Sequence, residues 1–256
     1  MNAAIDVCTN IHSREIGVRK LPGTYIGNPR TRAPIYTPPT GEAVIPGKLG
    51  NWAEFVHTTA DIDPLVVMAI AHYQFEAIHP FEDGNGRTGR ILNILQLVEA
   101  GLLNAPILYL SRFIIQNKDE YYRLLLGVTA DGAWESWIRF VLRGIHETAA
   151  KTLRKIDRIQ ELQEVVRAEI KAHTTAGSNA DLLDALFENP YARINKVVER
   201  CGVSRPTATS WLNSLVEREA LFDVKVGRER LFINVRLMQI LASDEEVDER
   251  SSDSLF

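Results

Sequence analysis

A mainly α chain in two parts is what these 256 residues predict, and three observations carry that expectation. Apolar residues recur at helical spacing through most of the length, as in Leu65, Met68, Ala69, His72, Phe75 and Glu76. A glycine-rich stretch, 79–90, stands between two such patterns. Beyond Thr174-Thr175-Ala176-Gly177-Ser178, which reads as a linker, short helical patterns and a β-hairpin form a second, smaller module.

Composition sets the outer bounds. With 45% hydrophobic residues the chain can bury one large core or two small ones. A net charge of −4 argues against non-specific polyanion binding by the whole molecule. Cys8 and Cys201 are far apart, with neither metal-ligand spacing nor a disulfide framework, which suits a reducing cytoplasm. No apolar run approaches a membrane span, and Met1-Asn2-Ala3-Ala4-Ile5-Asp6 has no leader character. The expectation is a cytoplasmic protein with no membrane partner.

In chain order, residues 1–20 carry little pattern. Pro22-Gly23-Thr24-Tyr25 marks a turn. From 25 to 51, short β-prone pieces around Pro38-Pro39-Thr40-Gly41 suggest a hairpin or ordered loop rather than a helix. Asp63-Pro64 is a cap followed by proline, opening a helix that runs to about 76. His72 on its stripe reads as a core histidine. His12, His57, His146 and His173 have no partners at ligand spacing and receive no role. Ile91, Ile94, Leu95, Leu97 and Val98 bury the next helix, which ends near Gly101. Residues 106–111 are extended or a short helix entry. Residues 119–126 and 133–145 are helices, with Tyr121, Tyr122, Trp134 and Trp137 as core aromatics. Residues 147–172 form a long charged helix whose stripe (Leu153, Ile156, Ile159, Leu162, Val166, Ile170) packs on its own core or forms a homodimer seam.

In the second module, Asp181–Phe187 and Ile194–Arg200 are short helices, and Ser204 caps a third that places Ala208, Trp211, Leu212 and Leu215 inward. With the hairpin of 221–233, residues 178–236 read as a winged helix-turn-helix domain. Arg205, Lys225, Arg228 and Arg230 could meet DNA phosphates. Nine Lys/Arg against eight Asp/Glu in that span is far from a strongly basic footprint, so DNA contact and protein docking both stay open. Residues 237–256 read as an acidic, disordered tail.

The chemistry concentrates in His79-Pro80-Phe81-Glu82-Asp83-Gly84-Asn85-Gly86-Arg87-Thr88-Gly89-Arg90. Gly84, Gly86 and Gly89 let the backbone approach a ligand closely, and a helix start offers N–H donors to an anion. Arg87 and Arg90, three apart, can reach one face of a polyphosphate. Asp83 is a hard oxygen ligand for Mg²⁺. His79 is a base suited to neutral pH. A surface turn would need only Gly84 and Asp83, which leaves His79, Asn85, Arg87 and Arg90 unaccounted for. No Walker A loop is present.

This stretch matches every fixed position of His-Pro-Phe-x-Asp-Gly-Asn-Gly-Arg-x-x-Arg, and on it the chain resembles the Fic family from about residue 20 to 147. The resemblance implies a Fic-type helical core over 1–147, with a β-hairpin flap at about 30–48 that pairs with the target segment. It implies AMP transfer from Mg-ATP to a Ser, Thr or Tyr hydroxyl of a target protein, with release of pyrophosphate. Carried over, His79 is the base, Asp83 holds Mg²⁺, and Asn85 with the Gly84 and Gly86 amides holds the α-phosphate. Arg87 and Arg90 hold the outer phosphates, and Phe81 anchors the loop. Thr88 and Gly89 complete the nucleotide-binding stretch, with Pro34, Ile35, Tyr36 and Thr129 as further nucleotide contacts. Removal of AMP, transfer of another group, and a nucleotide-sensing DNA-binding regulator stay open as alternatives.

Many Fic proteins carry an inhibitory Ser/Thr-x-x-x-Glu-Gly/Asn helix whose Glu pairs with the second motif arginine. Here the only Glu followed by Gly or Asn is Glu188, with Asp184 four residues before it. The expectation is therefore no autoinhibition, inhibition by a separate protein, or a shortened version of a longer chain.

Overall fold

The computed structural model describes residues 2–27, 34–59, 61–177, 179–227 and 229–243. They fall into two units, Met1–Ala149 and Ala150–Phe256. Unit 1 opens with α1 (Asn2–His12), where the sequence showed little pattern. Its buried stripe is Ala4 and Cys8, small side chains that leave a faint periodic signal yet let the helix lie close to its neighbours.

Strands β1 (Ile26–Gly27) and β2 (Pro34–Tyr36) pair antiparallel, Ile26 opposite Tyr36. The expected flap therefore begins earlier than residue 30, and its positions 30–33 lie outside the described residues. Its expected second half is not β. Residues 44–58 form α2 (Val44–Thr58), which buries Ile45, Leu49 and Trp52 at helical spacing. Pro46 sits in the first turn, where a missing N–H costs nothing. The Pro and Gly punctuation had masked that helix.

α3 (Pro64–Ile78) starts as expected, with Asp63 accepting from the Leu65 N–H at 2.8 Å. It is buried almost all round, as befits the central helix of a unit. Ala71, Phe75 and Ile78 join a cluster with α1, α2, Phe81 and Leu92. Met68 and Ala69 join a second cluster built around Trp137. Two indole N–H groups fix this helix from both sides: Trp52 donates to the Ala71 carbonyl at 2.9 Å and Trp137 to the Ala69 carbonyl at 2.8 Å.

Next come α4 (Asn85–Glu99), α5 (Ser111–Gln116), α6 (Lys118–Asp131) and α7 (Trp134–His173). The two helices expected at 133–145 and 147–172 are one: Gly144, near the expected break, is itself helical and ends nothing, and no Pro follows it. Tyr121 and Trp137 are buried as expected, whereas Trp134 is 39% exposed.

Gly144 lies inside α7 with an unusual neighbour. A Cβ there would stand 2.5 Å from Cδ1 of buried Phe113. Glycine inside a helix normally costs about 1 kcal/mol relative to alanine, so Gly50→Ala in α2, with open space around it, should stabilise. Gly144→Ala should instead destabilise, since overpacking costs about 1–3 kcal/mol. Paired thermal melts test this. Equal stabilisation by both changes would sink the packing argument.

Unit 2 holds the later turns of α7, then α8 (Ala180–Phe187), β3 (Tyr191–Arg193), α9 (Ile194–Cys201), α10 (Arg205–Glu217), β4 (Phe222–Val226), β5 (Glu229–Ile233) and α11 (Val235–Ala242). Ser204 caps α10 as expected, accepting from the Thr207 N–H, and Ala208, Trp211, Leu212 and Leu215 are buried. The hairpin gains a third strand, in the order β3-β5-β4. Only the later half of the α7 stripe is buried here: Leu162, Val166 and Ile170 join the core, while Leu153 is 62% exposed. The expected tail begins later than 237, because α11 buries Leu237 and Ile240 and Asn234 caps it. Residues 244–256 of that tail lie outside the described residues, as does Arg228.

Candidate active site

The site begins where α3 stops. Its C-cap, His79, adopts the left-handed conformation (φ 49°, ψ 62°), with its N–H still donating to the Phe75 carbonyl. A side chain bearing a Cβ pays of order 1 kcal/mol for that geometry, so something must hold it. Arg19 does, although no sequence pattern marked it. Its Nε donates to the His79 carbonyl at 2.7 Å, and Nη2 donates to the carbonyls of Pro39 (2.6 Å) and Ile78 (3.3 Å). The Arg19 N–H donates to the Pro80 carbonyl. Arg19 is buried, and burial lowers its proton affinity.

Next the chain reverses over Phe81, which is fully buried against Phe75. Asn85 closes this turn on itself: its Oδ1 accepts from the Phe81 N–H and its Nδ2 donates to the Phe81 carbonyl, both at 2.8 Å. The Asn85 amide thus shapes the loop, and only its backbone N–H is left for a ligand. Gly84 has φ 87°, and a Cβ there would fall 2.7 Å from Nε2 of His12. α1 therefore closes against the loop, with Cys8 Sγ donating to the Asp83 carbonyl. His12, given no role from sequence, stands with Nε2 3.9 Å from Oδ2 of Asp83. The two are far apart along the chain, which hid the pair.

α4 starts with no side-chain cap, and its first intrahelical bond runs from the Thr88 N–H to the Gly84 carbonyl. The N–H groups of Asn85, Gly86 and Arg87 precede that bond, so this end is electropositive and open to an anion. Asp83 flanks it, its carboxylate exposed, accepting from the Gly84 N–H at 2.7 Å and lying 3.3 Å from Arg87 Nη2. Thr88 is fully buried with an unpartnered hydroxyl. Its side chain packs inward, and only its backbone belongs to the anion-facing turn. Gly89 faces α3: a Cβ there would meet Glu76 Oε1 at 2.7 Å and Phe75 at 3.1 Å. Arg90 is half-buried and donates from Nε to Ser111 Oγ at 2.8 Å. Among the described residues no group of three or more His, Cys, Asp or Glu side chains gathers to hold a metal.

Burial, with the Arg19 cation assisting, pushes the His79 imidazole below its ordinary pKa of 6.5, so it stands neutral and basic at pH 7. His72, as expected, is a core histidine: it bonds Tyr121 through Nε2, stacks on Trp137, and is held at about 3 by burial and by Arg90.

A small apolar slot unites other expected contacts. Ile35, Tyr36 and Thr129 line it with Ile26, Ala77, Tyr122, Leu125 and Leu126. Tyr36 is fixed through its hydroxyl on the Ala77 carbonyl. Thr129 bonds Tyr73 at 2.9 Å. Pro34 starts β2, opposite Gly27.

Residues 6–97 match the Fic/DOC family, and residues 162–237 match the C-terminal domain described for SoFic-like protein adenylyltransferases. Among curated proteins, the protein adenylyltransferase Fic of Drosophila virilis is 28% identical over 135 residues, which is 52% of this chain and 26% of that one. A probable protein adenylyltransferase of Aquifex aeolicus is 41% identical over 71 residues, 28% of this chain and 22% of that one. The chain thus spans about a quarter of the length of these relatives. A crystal structure of a Fic family protein from Desulfovibrio desulfuricans aligns at 21% identity and TM-score 0.49, covering 96% of this chain and 71% of that one. The sequence motif and the first of these matches coincide on the loop that joins α3 to α4, so residues 6–97 are similar to the Fic/DOC family and residues 162–237 to the SoFic-like C-terminal domain.

Proposed function

We propose that this chain is a protein adenylyltransferase that moves AMP from Mg-ATP to a Ser, Thr or Tyr hydroxyl of a target protein and releases pyrophosphate. The observation that carries the reading is the juxtaposition of a half-buried, neutral His79 with the uncapped, electropositive start of α4. The hydroxyl proton passes to His79, the hydroxyl oxygen bonds to the α-phosphorus, and the bond from that phosphorus to the bridging oxygen breaks. Arg87, Arg90 and the first N–H groups of α4 balance the negative charge of the leaving pyrophosphate. The slot of Ile35, Tyr36, Tyr122 and Thr129 is where an adenine ring would find an apolar wall.

The donor set suits Mg²⁺. One exposed carboxylate, Asp83, stands beside an anion site, and Mg²⁺ takes most of its ligands from phosphates and water. When bound, the ion would offset phosphate charge.

For the second module, protein docking is the better supported of the two readings, because most of its basic side chains are already paired. Arg193 meets Glu229 at 3.2 Å, Lys196 meets Glu188 at 3.1 Å, and Arg230 grips Asp223 twice. Arg205, at the start of α10, bonds the Asn195 side chain. Among the described residues that leaves few cations outside ion pairs, Arg205, Arg218 and Lys225, to displace counterions from DNA. Within its own unit Glu188 pairs with Lys196 at 3.1 Å and Arg200 at 3.8 Å. Inhibition by a separate protein remains part of this proposal.

The deciding assay supplies cell extract with Mg²⁺ and ATP labelled at the α- or γ-phosphate. Label should reach protein from the α-position only. Transfer from the γ-position would make the enzyme a kinase, and no transfer from either would favour a nucleotide-sensing regulator.

A further inference from the structure

A carboxyl group with no part in that mechanism sits directly beneath the anion-facing turn. Glu76 projects from α3 one turn before His79, is 6% exposed, and has an Oε1 without a hydrogen-bond partner. Such a group is costly to leave alone. The two glycines of the turn show what it faces. A Cβ at Gly89 would meet Glu76 Oε1 at 2.7 Å. A Cβ at Gly86 would lie 3.8 Å from that same oxygen and 3.0 Å from Nη1 of Arg90. Carboxyl and guanidinium therefore flank one face of α4's first turn, whose own N–H groups add positive potential. Arg90 commits Nε to Ser111, which leaves its Nη groups to serve either Glu76 or a ligand.

We propose that Glu76 is a proton-linked positioning residue for the anion site: it shares the charge of Arg90 while the site is empty and takes up a proton as a polyphosphate arrives. This rests on the reading of the α4 start as a phosphate site. An entering polyphosphate brings several negative charges near the carboxylate and draws on the same Arg90 cation. Both effects favour the neutral acid. His79, one turn later, is pushed below its ordinary 6.5 by burial and so is already neutral where Glu76 titrates. His72, one turn earlier on α3, stays neutral down to about pH 3, and Tyr121 and Tyr122 from α6 are raised above their ordinary 10 by burial. Burial places Glu76 itself at about 7, with Arg90 opposing, so a small push is enough to protonate it near neutrality.

The sign follows. Ligand binding that takes up a proton is tightest at low pH and weakens as pH climbs from about 7 towards the higher pKa of the occupied state, by up to about tenfold per pH unit for one proton. Calorimetric titration with inorganic tripolyphosphate, in buffers of different ionisation heat, counts the protons directly. Wild type should take up close to one proton more than Glu76→Gln, whose affinity should depend correspondingly less on pH between about 7 and 8.5. If Glu76→Gln does not fold, Glu76→Met, similar in volume and uncharged, should show the same loss of proton uptake. Equal proton counts in wild type and variant would overturn the proposal, as would a failure of both to bind. Proton-linked binding without any AMP transfer would leave the proposal standing and remove the adenylyltransferase reading instead. A purely structural role for Glu76 would change the melting temperature of the variant and not its proton count.

Discussion

Replacing His79 with Asn should lower AMP transfer by about 10²–10⁴-fold while ATP affinity changes only a few-fold. The first figure is the usual contribution of a positioned general base, and the second follows because no step of nucleotide binding uses the imidazole. Asn is the right replacement, since it tolerates the left-handed backbone that His79 occupies, whereas Ala would add strain of its own. The pH profile carries a second test. Burial, and then the Arg19 cation, move the folded-state pKa below 6.5. The free base therefore persists into mildly acidic solution, and kcat at saturating ATP should hold to below pH 6.5 before falling. A wild-type kcat already halved on acidification to pH 7 would contradict the burial argument. A His79→Asn enzyme with more than half the normal rate would remove His79 from the chemistry.

Arg19→Ala should be the most damaging change outside the motif. It strands the carbonyls of Ile78, His79 and Pro39, each of which loses a charged donor. An unsatisfied buried acceptor costs about 1–3 kcal/mol, so a total loss of roughly 3 kcal/mol or more is expected. Activity should fall further than stability, because the His79 backbone is no longer held in its left-handed geometry. Lys at this position should rescue poorly, since one ammonium cannot reproduce the forked contact. Denaturant unfolding with an activity assay on the folded fraction separates the two effects. A loss below about 1 kcal/mol with normal turnover would show that Arg19 is incidental.

These two residues also mark where the sequence was readable. The motif was legible because its residues are contiguous: loop, helix start and arginines lie within one local geometry, and composition alone implies it. Most helices of unit 1, and α8 and α10 of unit 2, were legible for the same reason, through periodicity and caps such as Asp63 and Ser204, whereas α11 was read as tail. Arg19 was not, since its partners lie up to 60 residues away and nothing local distinguishes a buried arginine from a solvated one. α1 hid behind small side chains, and α2 behind Pro46 and Gly47. Glu76 was half visible, a charged residue on an otherwise apolar stripe, but periodicity gives its place on the face and not what it faces.

The ring that Asn85 closes on Phe81 has a consequence for the entropy of binding. Both ends of that amide are already bonded to backbone, and Phe81 is locked in the core. A loop in this condition has little conformational freedom to surrender when a phosphate arrives, so the usual ordering penalty is largely absent. Hydrogen exchange at Phe81 should therefore already be slow in the unliganded protein and change little on saturation. The protein meets its ligand with a socket rather than a snare.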